Sequence, residues 1–345
     1  MPQDLLGVLR ILEIKKWFRI EDYNRALKNM KFSRQEASSK PQLVPVIKKI
    51  KRLSGKAISQ WVHIRNFAYI LYVNNWIQNE QDPVFQLAQS LARLTDRITS
   101  ESFMLHDVYF LEESIIEYLE LRKEVYAEYP TEIGKCRPKH HYLTHIPSAV
   151  VAFGPPTSYW TARYESKHRI AKSIIESSKN FINVTHSISI RQQRRASSFF
   201  YHGMFQIEKF ILPVNVRKKN ELGSSELDKK LSNVIEDGDL VSIEMDFKSR
   251  KYVAGDIIVL SRVDQIEING GCVLAFIIRN RDAYVLVRHC VLKESTLGFF
   301  QCSRVEDSFG LVNMESLQDS YPLMRRGSEE KFLCILHHHV GFEYT

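Results

Sequence analysis

The residues with chemical potential cluster between Lys139 and Arg195. His140 and His145 stand five positions apart, just ahead of Pro147, and separated imidazoles can supply two of the four ligands a structural zinc needs. Only Cys136 lies nearby, and the chain has no Cys-x-x-Cys, so the residues leave two readings open: half of a zinc site, or two structural histidines. Glu165 is one of three acidic residues in a dense basic block and is flanked by Arg163, Lys167 and His168. A lone carboxylate among cations is commonly an ion-pair partner. The sharper reading is a metal-binding carboxylate beside a polyphosphate path, because two-metal phosphoryl transfer uses carboxylates to hold divalent ions about 3.5–4 Å apart.

The charge map supports a polyanion partner. The 345 residues carry 48 basic and 40 acidic side chains, a net +8. Residues 1–212 hold 31 basic and 20 acidic, or +11, whereas residues 213–345 hold 17 and 20, or −3. Within the first part, residues 135–209 reach +9, with 12 basic against 3 acidic, while residues 80–132 fall to −8. A block this basic is the electrostatic footprint of a nucleic-acid site, with Lys139, Arg163, Lys167, His168, Arg169, Lys172, Arg191, Arg194 and Arg195 as the candidate contacts. The alternative is a solvated surface that happens to be basic.

The elements that must position these groups fall into two unlike halves. Apolar periodicity predicts helices over residues 4–29, Ile58–Trp76, Val84–Ile98 with Pro83 as the first residue, and Phe103–Tyr126. On the last, Leu111, Ile115, Ile116, Tyr118, Leu119 and Leu121 form the expected inner face, with glutamates outside. Tyr129-Pro130 ends it. A basic helix is expected over Arg169–Ser178. After Pro213 a polar linker with Gly223-Ser224-Ser225 leads into strand-like runs: Tyr252–Leu260, Cys272–Arg279, Ala283–Leu292, Phe299–Val305 and Phe332–Leu336. The turn signals are Gly255-Asp256, Asn269-Gly270-Gly271, Asn280-Arg281-Asp282 and Gly327. The expected fold class is therefore α+β, with an all-α region over 1–134, a basic segment over 135–212, a linker over 213–238 and a small antiparallel β-rich region over 239–345. His337-His338-His339 points to alternate faces of a strand and is read as a chain-end feature.

Composition excludes other classes. Hydrophobic residues at 44% and charged residues at 26% fit a globular chain rather than a disordered or fibrous one. No apolar run reaches the ~18 residues that cross a bilayer, and the first residues lack a secretory pattern. Five cysteines without paired spacing are expected in a reducing compartment rather than in a disulfide framework. The short basic runs Lys48-Lys49-Ile50-Lys51-Arg52 and Arg217-Lys218-Lys219 are a weak nuclear signal.

The pattern His-x-x-x-x-His-x-Pro, then Gly154-Pro155, Trp160, Arg163-x-Glu165 and a basic helix resembles the end of the catalytic domain of CACTA/EnSpm-type transposases of the CMC superfamily. It more distantly resembles the catalytic subunit of the V(D)J recombinase. The resemblance covers most of residues 1–212 and is strongest over Lys139–Phe181. It implies that Glu165 is the third carboxylate of an Asp-Asp-Glu triad on an RNase H-like fold. It further implies that His140 and His145 complete a zinc site with an upstream Cys-x-x-Cys, and that residues 1 to about 135 correspond to the all-α insertion ahead of that Glu. The departures carry weight as well. Relatives in animals have Asp-Pro-Met-His-Asp-Leu-Leu-Glu-Gly where this chain begins Met1-Pro2-Gln3-Asp4-Leu5-Leu6-Gly7, so Asp4 is not expected to be a metal ligand. The other two carboxylates and the Cys-x-x-Cys would precede Met1.

One carboxylate cannot hold two divalent ions, so the expectation is a truncated, catalytically inactive transposase fragment with residual nucleic-acid binding. DNA is the expected partner, with no membrane and no small-molecule substrate, in an intracellular, nuclear setting; the sequence sets no oligomeric state. Zn2+ enters only through the half-site, and Mg2+ or Mn2+ only if the triad is completed. Two rivals remain: part of an active transposase or nuclease whose first two Asp lie upstream, and a protein-interaction module built on the β region.

Overall fold

A computed structural model describes residues 2–32, 36–46, 53–100, 103, 105–159, 171–177, 179, 181–201, 211–214, 216–218, 229, 231, 233–247, 250–263, 267–280, 282–297, 299–317, 323–327 and 332–334. The chain is α+β. Helices fill the first part: α1 (Pro2–Ile14), α2 (Ile20–Asn29), α3 (Ala57–Val73), α4 (Pro83–Ile98), α5 (Leu105–Glu128), α6 (Pro130–Ile133), α7 (Pro138–Leu143), α8 (Ile146–Phe153), α9 (Pro156–Tyr159) and α10 (Val184–Tyr201). Antiparallel strands fill the rest.

The single helix expected over 4–29 is two helices. Lys16 adopts φ +63°, and the Lys16 and Trp17 amides bond to the Glu13 and Leu12 carbonyls at 2.9 and 3.0 Å. That pairing satisfies the last carbonyls of α1 and turns the chain, so Trp17 and Phe18 swing inward instead of continuing the helical stripe. The same device stops α3 at Val73: Asn75 has φ +54°, with Asn75 and Trp76 amides bonded to the Tyr72 and Leu71 carbonyls. α4 begins where Pro83 predicts, with the Asp82 carboxylate accepting the Val84 amide at 2.9 Å. α1 is buried through Leu5, Leu6, Val8, Leu9, Ile11 and Leu12, and packs on α4 and α6. Aromatic rings tie the α1–α2 connection to α4 and to the segment after α3, with Trp17 and Phe85 centroids 5.7 Å apart and Phe18 and Trp76 5.3 Å apart. On α5 the buried stripe is Leu111, Ser114, Ile115, Tyr118, Arg122 and Val125; Ile116 lies outside it, 50% exposed. The reason is angular: residues 111, 115, 118, 122 and 125 share one face at helical spacing, and 116 falls a full residue past it.

The strands are β1 (Ile211–Val214), β2 (Arg217–Lys218), β3 (Leu240–Ser242), β4 (Glu244–Phe247), β5 (Arg250–Val253), β6 (Ile257–Arg262), β7 (Glu267–Arg279), β8 (Asp282–Glu294), β9 (Phe300–Asn313), β10 (Arg326–Gly327) and β11 (Phe332–Cys334). The larger sheet runs β10-β11-β9-β8-β7-β3-β2, with β6 pairing the first half of β7, and a second sheet runs β1-β4-β5. Gly270-Gly271, expected as a turn, sits inside β7 instead. Those glycines are needed for packing: a Cβ on Gly271 would meet the Val287 Cβ at 2.8 Å, and one on Gly270 the Cys290 Sγ at 3.0 Å. Gly255-Asp256 does break the Tyr252–Leu260 run into β5 and β6, and Asn280 at φ +52° turns β7 into β8. β9 extends eight residues beyond the expected Val305, because its polar stretch Glu306-Asp307-Ser308 still pairs along β8.

The two regions pack together. Leu297 and Phe299 from the β8–β9 connection are buried in the helical core, Phe299 against Tyr72 with ring centroids 5.1 Å apart. Arg326 from β10 lies 4.4 Å over the Tyr69 ring and donates to Asn66 Oδ1 at 3.0 Å. No disulfide joins any of the five cysteines. Among the described residues no helix is long and apolar enough to cross a membrane.

Candidate nucleic-acid interface

The first candidate residue, His140, is built into a buried ionic node. α1 contributes Asp4, α5 contributes Arg122 and Tyr118, and α7 contributes His140. Arg122 donates from Nε to Asp4 Oδ1 at 2.9 Å, from Nη1 to Cys136 Sγ at 3.2 Å, and from Nη2 to the carbonyls of Ile133, Gly134 and Lys135 at 3.3, 2.9 and 3.3 Å. His140 Nδ1 accepts the Arg137 amide at 2.9 Å, and its Nε2 lies 3.5 Å from Asp4 Oδ2. An imidazole that accepts at Nδ1 carries its proton at Nε2, so it donates to Asp4. Burial alone would raise the Asp4 carboxyl, but a set of opposing interactions, led by the His140 hydrogen bond and including the Arg122 charge, outweighs it and holds the group below the usual carboxylate range. Burial, helped by the Asp4 charge, pushes the Tyr118 phenol well up.

This geometry bears on the zinc half-site. Both His140 nitrogens are engaged, and His145 is exposed with its Nε2 3.2 Å from that of His141. The expected pair is therefore not brought together; a metal would have to break the Asp4 or Arg137 contact to reach His140. The residues do not fit zinc in this arrangement, and among the described residues no group of three or more His, Cys, Asp or Glu could hold a metal ion. Asp4 serves as a partner of Arg122. Sequence reasoning does not find Arg122, although it stands on the apolar face of α5, where a lone guanidinium demands a buried anion. A cleft of about 380 Å3 borders the node, with Arg10, Lys135 and Arg137 set against Glu13 and Glu132.

The remaining candidates part company. Glu165, Arg163, Lys167, His168 and Arg169 lie outside the described residues, as do His337-His338-His339 and the Lys48–Arg52 run. Lys139 is exposed on α7, and Lys172 is exposed on the helical stretch 171–177 that falls within the expected Arg169–Ser178 helix. Arg191 and Arg194 are exposed on α10, which also carries Arg195.

α10 is the element that most resembles an interface. Its eighteen residues, VTHSISIRQQRRASSFFY, include no Asp or Glu. Asn183 caps it, its Oδ1 accepting the His186 amide at 3.3 Å. None of its described side chains is buried. Arg191 Nη1 donates to Ser177 Oγ at 2.7 Å, so the chain turns back on itself between the 171–177 helix and α10. Lys179, at φ +49°, lies in that turn, followed by Phe181 and Ile182, which are 72% and 100% exposed. Of its described side chains, Arg191 and Arg194 face solvent while Val184, Ile188 and Ile190 are half-buried. The class these features define is an α+β chain with a basic, outward-facing helical hairpin. No family model, no curated protein and no solved structure matches it.

Proposed function

We propose that the chain is a transposon-derived protein that binds duplex nucleic acid through its basic segment and does not cut strands by itself. The observation that carries the binding reading is α10: an N-capped helix without an acidic residue, with Arg191 and Arg194 exposed, set beside a helical stretch that carries the exposed Lys172. Phosphate-lined grooves accept such a helix, and releasing their condensed counterions supplies the affinity. The finer reading takes the Glu165-bearing part of the basic segment as the remnant of the last catalytic helix of an RNase H-like fold. It rests on the resemblance carried by His140, His145 and Glu165; the nuclear setting follows from a DNA partner and the short basic runs.

Affinity for a mixed-sequence duplex, followed by fluorescence anisotropy at increasing salt, is expected to fall linearly on logarithmic axes. The paired substitution Arg191→Ala and Arg194→Ala should lower the slope by about 2, close to 0.9 for each phosphate no longer neutralised. Absent or salt-insensitive binding would overturn the reading. Magnesium- or manganese-dependent cleavage that disappears with Glu165→Gln would overturn the inactive half of it.

A further inference from the structure

Phe181 and Ile182 are adjacent large apolar side chains held in water at the tip of the turn between the 171–177 helix and α10. Isolated exposed apolar residues are ordinary, but this pair is bracketed by a net positive charge. Lys172 and Lys179 precede it and Arg191 and Arg194 follow it, with Glu176 the one acidic residue between positions 171 and 201. The turn is fixed from both sides, by the Asn183 cap and by the Arg191–Ser177 hydrogen bond. The tip is thus a preset apolar projection on a cationic mount.

The complement of that shape is an apolar slot with an anionic rim. A stacked base step in a duplex supplies both, flat ring faces lying between two rows of phosphates. A protein groove would need acidic residues arranged on both sides to do the same. We infer that Phe181 and Ile182 form a wedge that enters a base step of duplex DNA, unstacking and kinking it while the cations grip the flanking phosphates. Side chains of these types part base steps and bend duplexes by about 20–90° in minor-groove binders. The inference rests on the binding reading above, yet concerns different residues and a different observable.

The test uses the full chain and a duplex bearing 2-aminopurine at the centre and a donor–acceptor dye pair at the ends. Saturating protein is expected to raise the 2-aminopurine emission severalfold and to shorten the dye separation. The exposed pair can be changed without touching a core: Phe181→Ala with Ile182→Ala should return both signals to free-duplex levels and weaken binding about tenfold, with the salt slope unchanged. Phe181→Leu with Ile182→Leu should restore the kink. Salt-dependent binding without unstacking, or a kink that survives the alanine pair, overturns the wedge and leaves the binding reading intact. Absence of salt-dependent binding overturns both. Loss of self-association in sedimentation, with the duplex signals unmoved by the alanine pair, assigns the tip to a second copy instead and also overturns the wedge.

Discussion

Arg122 and the arginines of α10 are the same residue type put to opposite uses. Arg122 is buried with all three nitrogens engaged by Asp4, Cys136 and the carbonyls of residues 133–135. Arg191 and Arg194 stand in solvent, one of them steadied by a serine hydroxyl. A buried guanidinium must find its full set of acceptors within the protein, or the desolvation cost exceeds what the ion pair returns. An exposed guanidinium retains water and remains available to an outside anion. The lesson is that the basic excess of this chain is not one resource: part of it ties helices together, and part faces outward.

The largest expected effect tests the inward half. Arg122→Ala removes the buried guanidinium that bonds Asp4, Cys136 and the carbonyls of residues 133–135, and should lower the unfolding free energy by about 3–5 kcal/mol in urea titrations. A loss under about 1 kcal/mol would erase the distinction between node and helix.

The helical core offers a second, pH-dependent measure. His63 on α3 is fully buried and shares a 2.9 Å hydrogen bond with the Tyr23 hydroxyl. Burial lowers its pKa from 6.5 to about 4. Between those values the unfolded chain holds the extra proton, so stability rises with pH across the window. It should fall by about 3 kcal/mol as pH drops from 6.5 to 4, at ~1.36 kcal/mol per unit. His63→Gln should flatten that slope. Asp4, whose folded pKa is depressed, loses its contribution only as pH falls below the ordinary carboxylate range, so the two windows are separable.

Gly271→Ala carries no charge and sharpens the comparison from the β side. Its new Cβ would overlap Val287, so a loss of about 1–3 kcal/mol is expected in the same titration. The smallest effect belongs to the outward half. Arg191→Ala and Arg194→Ala should each change stability by less than about 0.5 kcal/mol while altering duplex affinity. A large stability loss there would show that α10 packs rather than presents.

Much of the helical region is legible from spacing. Pro83 and Asp82 announce the start of α4, and the α5 stripe follows from period alone, save that Ile116 faces outward against expectation. The breaks after α1 and α3 are not legible, because a lysine and an asparagine, not glycines, occupy the left-handed positions at 16 and 75. Gly270-Gly271 misleads for the reverse reason: the glycines make room for neighbours across the sheet rather than for a turn. β9 runs long because its polar residues pair through backbone groups that side-chain patterns do not report. Charge density picks out the candidate cations that lie on α10, whereas His140 meets Asp4 and Arg137 rather than His145.

What the sequence determined by itself was periodicity, charge density and the order of helix before strand, since each depends on neighbours a few residues apart. What tertiary structure decided was which polar groups meet. Asp4, Arg122 and His140 are separated by 118 and 136 positions in the pairs they form, and no local pattern encodes those contacts. A buried charge selects its partner by proximity in the packed core, where the dielectric is low and an unpaired ion is most costly.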